Sequence, residues 1–332
     1  MKILLVCMSY DYGDPERGHS YEYYNFYQSL QALGHDVELF DFMTELQYLG
    51  KHAMNRKLLE IAEASKPDLA MFSLYTDQFE PDTVKQMKRH TRTLCFFHDD
   101  TWRVEFSHYW APQFDFFTTP DVYGERKYRA LGLENAIHFP FGCNDSTYQK
   151  VEMEKKYDVS FVGAWHPYRE WLIKRLRIAG FNVKTVGYRW PDGIVSHEVM
   201  VKIFNETRIN LNMSNSTCWD ARYLLSSPRG LINRIRSPKS VEQIKARHFE
   251  INGSGGFQLS YYVEGLERLY GIGTEIAVYL DPDDLLKKVN FYLTEDKLRE
   301  SIADAGYART LADHTFSQRF KRVFQRMGLT DV

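Results

Sequence analysis

The chain alternates short continuous apolar runs with longer amphipathic ones. Lys2–Met8, Val37–Phe40, Leu69–Leu74, Thr93–Phe97, Phe114–Thr119 and Ile137–Phe141 are apolar without strict polar alternation. That is the pattern of strands buried on both faces of a parallel sheet. Between them the spacing predicts helices. One carries Phe26, Leu30 and Leu33 and stops at Gly34; others lie around Leu58–Ala64, Thr83–His90 and Asp121–Leu131. Pro140-Phe141-Gly142 and the polar run Asn144–Lys156 read as a linker, after which the rhythm restarts. Strands are expected at Asp158–Val162, Asn182–Gly187, Ile209–Met213, Phe257–Ser260 and Glu275–Leu280, with a helix at Ser196–Glu206. A last helix after His314-Thr315 shows an apolar stripe of Phe316, Phe320, Val323 and Phe324. Strand–helix alternation with short connections predicts doubly wound parallel α/β sheets, and 332 residues suit two of them.

Composition narrows the class. With 44% hydrophobic and 26% charged residues the chain reads as a soluble globular protein. A formal charge of −2 gives no general attraction to nucleic acid or acidic membranes. The opening MKILLVCMSY is too short for a signal peptide, and no apolar run approaches a spanning length, so a cytoplasmic location is expected. Cys7, Cys95, Cys143 and Cys218 lack metal or disulfide spacing.

Ligands of doubly wound sheets bind beyond the carboxyl ends of the strands. Three polar clusters fall there in the first half: Ser9–Ser20, Tyr75–Gln78 and His98–Arg103. His19, Asp99 and Asp100 are candidate general bases; Asp100-Thr101 could equally cap the next helix. In the second half Gly163 ends a strand and Arg169 follows at a helix amino end, where anions are favoured. The competing reading is an ordinary turn with a solvated arginine. Ser214–Ser240 breaks the rhythm with a basic excess, Arg222, Arg229, Arg234, Arg236 and Lys239 against Asp220. It is expected to be a mobile loop closing over phosphates, or a solvated insertion. Lys245–Asp281 then brings together Lys245, Arg247, Glu250, Gly255 and Gly256, groups that a nucleoside diphosphate needs. The plain alternative is a helix ended by glycine. Asp281-Pro282-Asp283-Asp284 reads as a helix start rather than a metal motif.

The run YDVSFVG…R (Tyr157–Arg169), INLNMS (Ile209–Ser214) and KARHFEI..SGGFQL (Lys245–Leu259), with EIAVYLDPDDLLKKVNFYL and AGYARTLADHTFSQRF, resembles glycosyltransferases of the spore-maturation CgeB-like group. These are relatives of the "glycosyl transferases group 1" domain. The resemblance implies an α/β GT-B fold, two Rossmann-like doubly wound domains facing a central cleft. The acceptor domain would span residues 1–146, with a helix at 315–332 packing back on it. The nucleotide-sugar domain would span 150–314. Residue by residue, Glu250 would contact the ribose, Arg247 and Lys245 the diphosphate, and Gly255 and Gly256 would allow close backbone approach. Seven residues separate Glu242 from Glu250, a spacing seen in many retaining relatives; a base at His19, Asp99 or Asp100 would serve an inverting route, and both stay open. The expected partners are a nucleotide sugar, UDP-linked by preference, and a glycan, protein or small-molecule acceptor, with no bound metal and no further cofactor. The oligomeric state stays open. The alternatives are a non-catalytic binding or assembly protein on the same fold, and a DNA-base glycosyltransferase, which the near-neutral charge disfavours.

Overall fold

The computed structural model describes residues 1–213, 219–226, 228–237, 239 and 242–329, with the backbone alone for residues 229 and 233. The chain divides into two compact units, Met1–Asn144 with Phe316–Val332, and Asp145–Thr315. In chain order the strands of the first are β1 (Lys2–Cys7), β2 (Asp36–Asp41), β3 (Leu69–Ser73), β4 (Arg92–Phe96), β5 (Phe116–Thr119) and β6 (Ala136–His138). Those of the second are β7 (Tyr157–Val162), β8 (Val183–Val186), β9 (Thr207–Asn212), β10 (Gln258–Tyr261) and β11 (Ala277–Tyr279).

Both sheets are parallel throughout, in the orders β2-β1-β3-β4-β5-β6 and β11-β10-β9-β7-β8. The order reverses between β1 and β3 in the first sheet and between β7 and β9 in the second. At such a switch the connections leave to opposite faces and open a crevice at the carboxyl edge.

The continuous apolar strands fill the interior as their pattern requires. Leu4, Val6, Phe72 and Phe117 are buried in the first core, and Val159, Ile209, Leu211 and Leu259 in the second. The helix Phe316–Arg326 completes the first unit. Its Phe316 and Phe320 rings meet Phe26 and Phe139, and Phe316 N donates to Cys143 O at 2.9 Å. Each fully buried phenylalanine contributes about 1.5–3 kcal/mol.

One sequence reading changes. Ser214–Ser240 was expected to be a loop, yet most of its described part forms two helices, Ala221–Ser226 and Pro228–Arg236; residues 214–218, 227, 238 and 240, with Cys218, lie outside the described residues. Asn144–Lys156 holds the boundary between the two units, as a linker should, and is tied down at points along it: Tyr148 is fully buried, Val151 N donates to Asn205 Oδ1, and Lys156 N to Glu206 O. The helix Phe42–Leu49, capped by Asp41 on Met43 N and Thr44 N, adds to the expected elements, and its Phe42, Met43 and Leu46 pack on the first core. Asp281 does cap the helix Pro282–Thr294, accepting from Asp283 N and Asp284 N.

Candidate functional site

In the carboxyl-terminal unit the switch between β7 and β9 is occupied by a guanidinium. Arg169 stands in the first turn of the helix Pro167–Ile178, which His166 caps by accepting from Tyr168 N. It donates to Ala164 O beyond β7 at 2.9 Å and twice to Met213 O beyond β9, at 2.8 and 3.2 Å. One side chain thus ties the two strand ends together. Burial lowers its pKa to about 10, Arg247 adds to the depression, and Glu242 and Tyr279 oppose it. Burial also holds His166 down at about 4, helped by Arg169 and Lys239. Positive charge is therefore concentrated at this edge, and a neutral His166 stays an acceptor at physiological pH.

Gly163 closes the same crevice. Gly187, at φ +130°, packs on it so tightly that a Cβ would lie 2.3 Å from Gly163 O. Trp190 Nε1 donates to that carbonyl at 2.9 Å.

Next along the edge, the helix Arg247–Gly253 presents its first turn. Arg247 and Glu250 form an ion pair at 2.6 Å, Tyr148 donates its hydroxyl to Glu250 Oε1 at 2.9 Å, and the Arg247 guanidinium lies over Phe204. Glu250 is buried, whereas Arg247 keeps part of its side chain exposed. A carboxylate with about four acceptor sites retains capacity beyond these two donors. Lys245 starts the turn through His248, whose Nδ1 accepts from Lys245 N at 3.0 Å while Nε2 meets Ser260 Oγ at 3.1 Å. Burial drives the His248 pKa down to about 4, with the Lys245 charge adding and its carbonyl opposing. Glu242 is half-buried within electrostatic reach of Arg169 and Tyr279. The Tyr279 hydroxyl, at the end of β11, is buried without a hydrogen-bond partner.

Two expected residues lie elsewhere. Gly255 and Gly256 were expected to admit a diphosphate, but they belong to the amino-terminal edge of the sheet. The helix runs antiparallel to the strands and carries the chain to the far side before β10 begins. There Gly255 turns at φ +69° against Lys150, and a Cβ on Gly256 would meet Asn210 at 2.7 Å. Their role is to end the helix and enter β10, with Gly256 N bonded to Ile251 O.

In the amino-terminal unit the equivalent switch, between β1 and β3, holds a different group. Ser73 at the end of β3 donates to Glu22 Oε1 at 2.7 Å, and His98 Nε2, beyond β4, lies 3.1 Å from the same oxygen and 2.8 Å from Ser73 Oγ. Burial alone would raise the Glu22 pKa, but His98 and Ser73 outweigh it and leave it below the ordinary value. His19 sits apart, stacked between Tyr10 and Tyr23 at centroid distances of 5.2 and 3.8 Å, with Nδ1 3.2 Å from Ser9 O. Asp99 O accepts from Trp102 N and Arg103 N.

Asp100 does not cap the following helix. Its buried carboxyl takes a hydrogen bond from Tyr128 at 3.1 Å, and Thr119 and Tyr128 both favour its charged form. Burial raises its pKa to about 6 against both. His19, Asp99 and Asp100 thus share one edge without forming one group. Glu22, Ser73 and Tyr148 were not anticipated. No group of three or more His, Cys, Asp or Glu side chains suited to a metal occurs among the described residues.

Comparison with known proteins agrees with this architecture. The chain is similar to sucrose-phosphate synthase from Thermosynechococcus elongatus (TM-score 0.64, 10% identity, 99% of each chain). It is also similar to Anabaena HepE, solved with UDP and glucose (TM-score 0.60, 12% identity, 99% of each chain). AviGT4, a glycosyltransferase involved in avilamycin A biosynthesis, aligns with a TM-score of 0.61 at 12% identity, over 98% of this chain and 96% of its own. The fold is GT-B, two Rossmann-like domains each built on a parallel sheet. Residues 169–325 match the family described as Glycosyl transferase-like. Fold and family match define the class: a glycosyltransferase, an enzyme that moves a sugar from a nucleotide-sugar donor to an acceptor nucleophile. No curated protein matches the chain. No helix among the described residues is long and apolar enough to cross a membrane.

Proposed function

We propose that the carboxyl-terminal unit binds a nucleotide sugar, UDP-linked by preference, at the edge organised by Arg169. The observation carrying this is the grouping of Arg169, Lys239 and Arg247 around a neutral His166 and two carboxylates. Departure of a diphosphate develops negative charge, and partly buried, pre-oriented guanidinium groups stabilise it without reorganising. Arg169 and Arg247 take the phosphates, with Lys245 beside them. Glu250 holds Arg247 in place and accepts from the ribose hydroxyls, and Glu242 faces the transferred sugar. Gly163 lets the backbone approach. HepE is described in complex with UDP-glucose, which supports a uridine donor here. The quoted motifs favour the CgeB-like group within the superfamily.

For the acceptor side we assign the reacting hydroxyl to His98, held by Glu22 and Ser73. His19 on its aromatic stack, with Asp99, completes the acceptor edge. Buried Asp100 supports the edge rather than reacting. The protein works in the cytoplasm on a glycan, protein or small-molecule acceptor.

Calorimetric titration with UDP, GDP, ADP and dTDP tests the donor half. UDP is expected to bind best, and Glu250→Ala to weaken it by roughly ten-fold or more, since each charged hydrogen bond is worth about 1.5–3 kcal/mol. Binding of none of the four, or unchanged affinity in Glu250→Ala, removes the assignment.

A further inference from the structure

Of the two helices inserted between β9 and the helix Arg247–Gly253, Ala221–Ser226 buries Tyr223 and packs Leu224 on the core while leaving Leu225 outside, and Pro228–Arg236 turns its apolar face outward. In Pro228–Arg236 the inward position is Gly230, which packs against the carbonyl and ring of the buried Tyr223. Tyr223 in turn lies against Tyr168 and Trp171. At helical spacing Leu231, Ile232 and Ile235 fall on the face opposite Gly230. They are exposed, Ile235 at 74%, together with Leu225 at 86% and Trp219 at 71%. Five large apolar side chains are thus turned to solvent on one short hairpin, the inverse of a core-facing helix.

The charge around them is one-sided. Residues 219–239 carry Arg222, Arg229, Arg234, Arg236 and Lys239 against Asp220 alone, in a chain whose total formal charge is −2. The rest of the chain is therefore acidic and this hairpin basic. Arg234 lies over the Trp219 ring at 4.1 Å, and Arg222 is paired with Asp220 and Asp283. Arginines flanking a stripe of tryptophan and branched aliphatics suit an interfacial element, with apolar groups among acyl chains and cations at headgroup level. A protein partner would satisfy the apolar face equally well; the basic rim selects a negatively charged surface.

We infer that the helices Ala221–Ser226 and Pro228–Arg236, with Trp219, form a peripheral docking element for an anionic lipid surface. The inference stands apart from the donor assignment, because it is read without turnover.

The test is co-sedimentation of the full chain with vesicles of phosphatidylcholine alone, or of phosphatidylcholine mixed with phosphatidylglycerol. Binding to the mixed vesicles is expected, weakened by salt, with none to phosphatidylcholine alone. Ile235→Asp, and separately Arg234→Glu with Arg236→Glu, should each lower partitioning at least about ten-fold. Ile235→Asp leaves the melting temperature and UDP titration unchanged, because the replaced side chain is exposed. Failure of the wild type to sediment with anionic vesicles, or undiminished sedimentation of Ile235→Asp, overturns the inference. Self-association in sedimentation velocity that Ile235→Asp abolishes, without vesicle binding, assigns the face to a second copy and overturns it too.

Discussion

The two sheets place different chemistry at the same topological position. Where the order reverses in the carboxyl-terminal sheet, Arg169 bridges the ends of β7 and β9, with Arg247 and Lys239 in electrostatic reach. At the corresponding point of the amino-terminal sheet, Glu22, Ser73 and His98 share hydrogen bonds beside stacked tyrosines. One edge is arranged to hold negative charge; the other to handle a proton and stack on rings. Such a cationic crevice suits a diphosphate, the group proposed for it. Tyrosine faces beside a buried Glu22 and a partly exposed His98 suit the hydroxylated acceptor proposed for this edge.

The largest expected effect lies on the proton-handling edge. His98→Ala should lower turnover by at least about 10²-fold while UDP affinity stays within two-fold, roughly, as befits a proton-transfer group. A matching loss of UDP affinity would erase the distinction between the edges.

The next contrast is in pH. His248 has a folded pKa of about 4, below its unfolded value, so the unfolded chain binds more protons in between. Its contribution is present above about 6.5 and lost as pH falls through about 4, on the order of 3 kcal/mol. Asp100 is raised to about 6, so its contribution is present below its unfolded pKa and lost as pH rises through about 6. The two units therefore have opposing slopes in the mildly acidic range. Denaturation from pH 4 to 7, roughly, should show His248→Asn less sensitive to acid and Asp100→Asn less sensitive to the rise. Unaltered slopes in both variants would remove these groups as the cause.

Arg169→Ala should weaken UDP by about 10–100-fold, and Arg169→Lys should recover little, because a lysine cannot reach Ala164 O and Met213 O with one planar fork. Wild-type affinity in the alanine variant would break the anion assignment. The smallest effect is expected for Tyr148→Phe. It deprives Glu250 of one donor and should weaken UDP several-fold, about 1.5 kcal/mol at most, by calorimetry.

Much of this architecture is legible in the chain. Strands buried on both faces leave continuous apolar runs, so Lys2–Cys7 and Tyr157–Val162 announce themselves. Arg169 was legible too, since a glycine turn and a helix start bracket it. Gly255 and Gly256 were placed on the wrong edge because composition carries no direction. The seven-residue helix crosses the sheet's length, and the glycines travel with its far end. Glu22, Ser73 and His98 come from three distant segments, and strand order alone brings them together. Tyr148 hid in a polar run with no period. The inserted hairpin read as a loop because its apolar residues face outward, among serines, prolines and arginines.

The return of the final helix has a consequence for how the molecule is made. The first unit is discontinuous in sequence: Met1–Asn144 must wait for Phe316–Val332. During synthesis the second unit can close on itself while Phe26 and Phe139 still lack Phe316 and Phe320. The amino-terminal domain should therefore be the last to acquire its stable core, although it leaves the ribosome first. A chain stopped before Phe316 would carry a finished donor domain beside an open aromatic surface, the kind of partly folded species that chaperones bind and proteases remove.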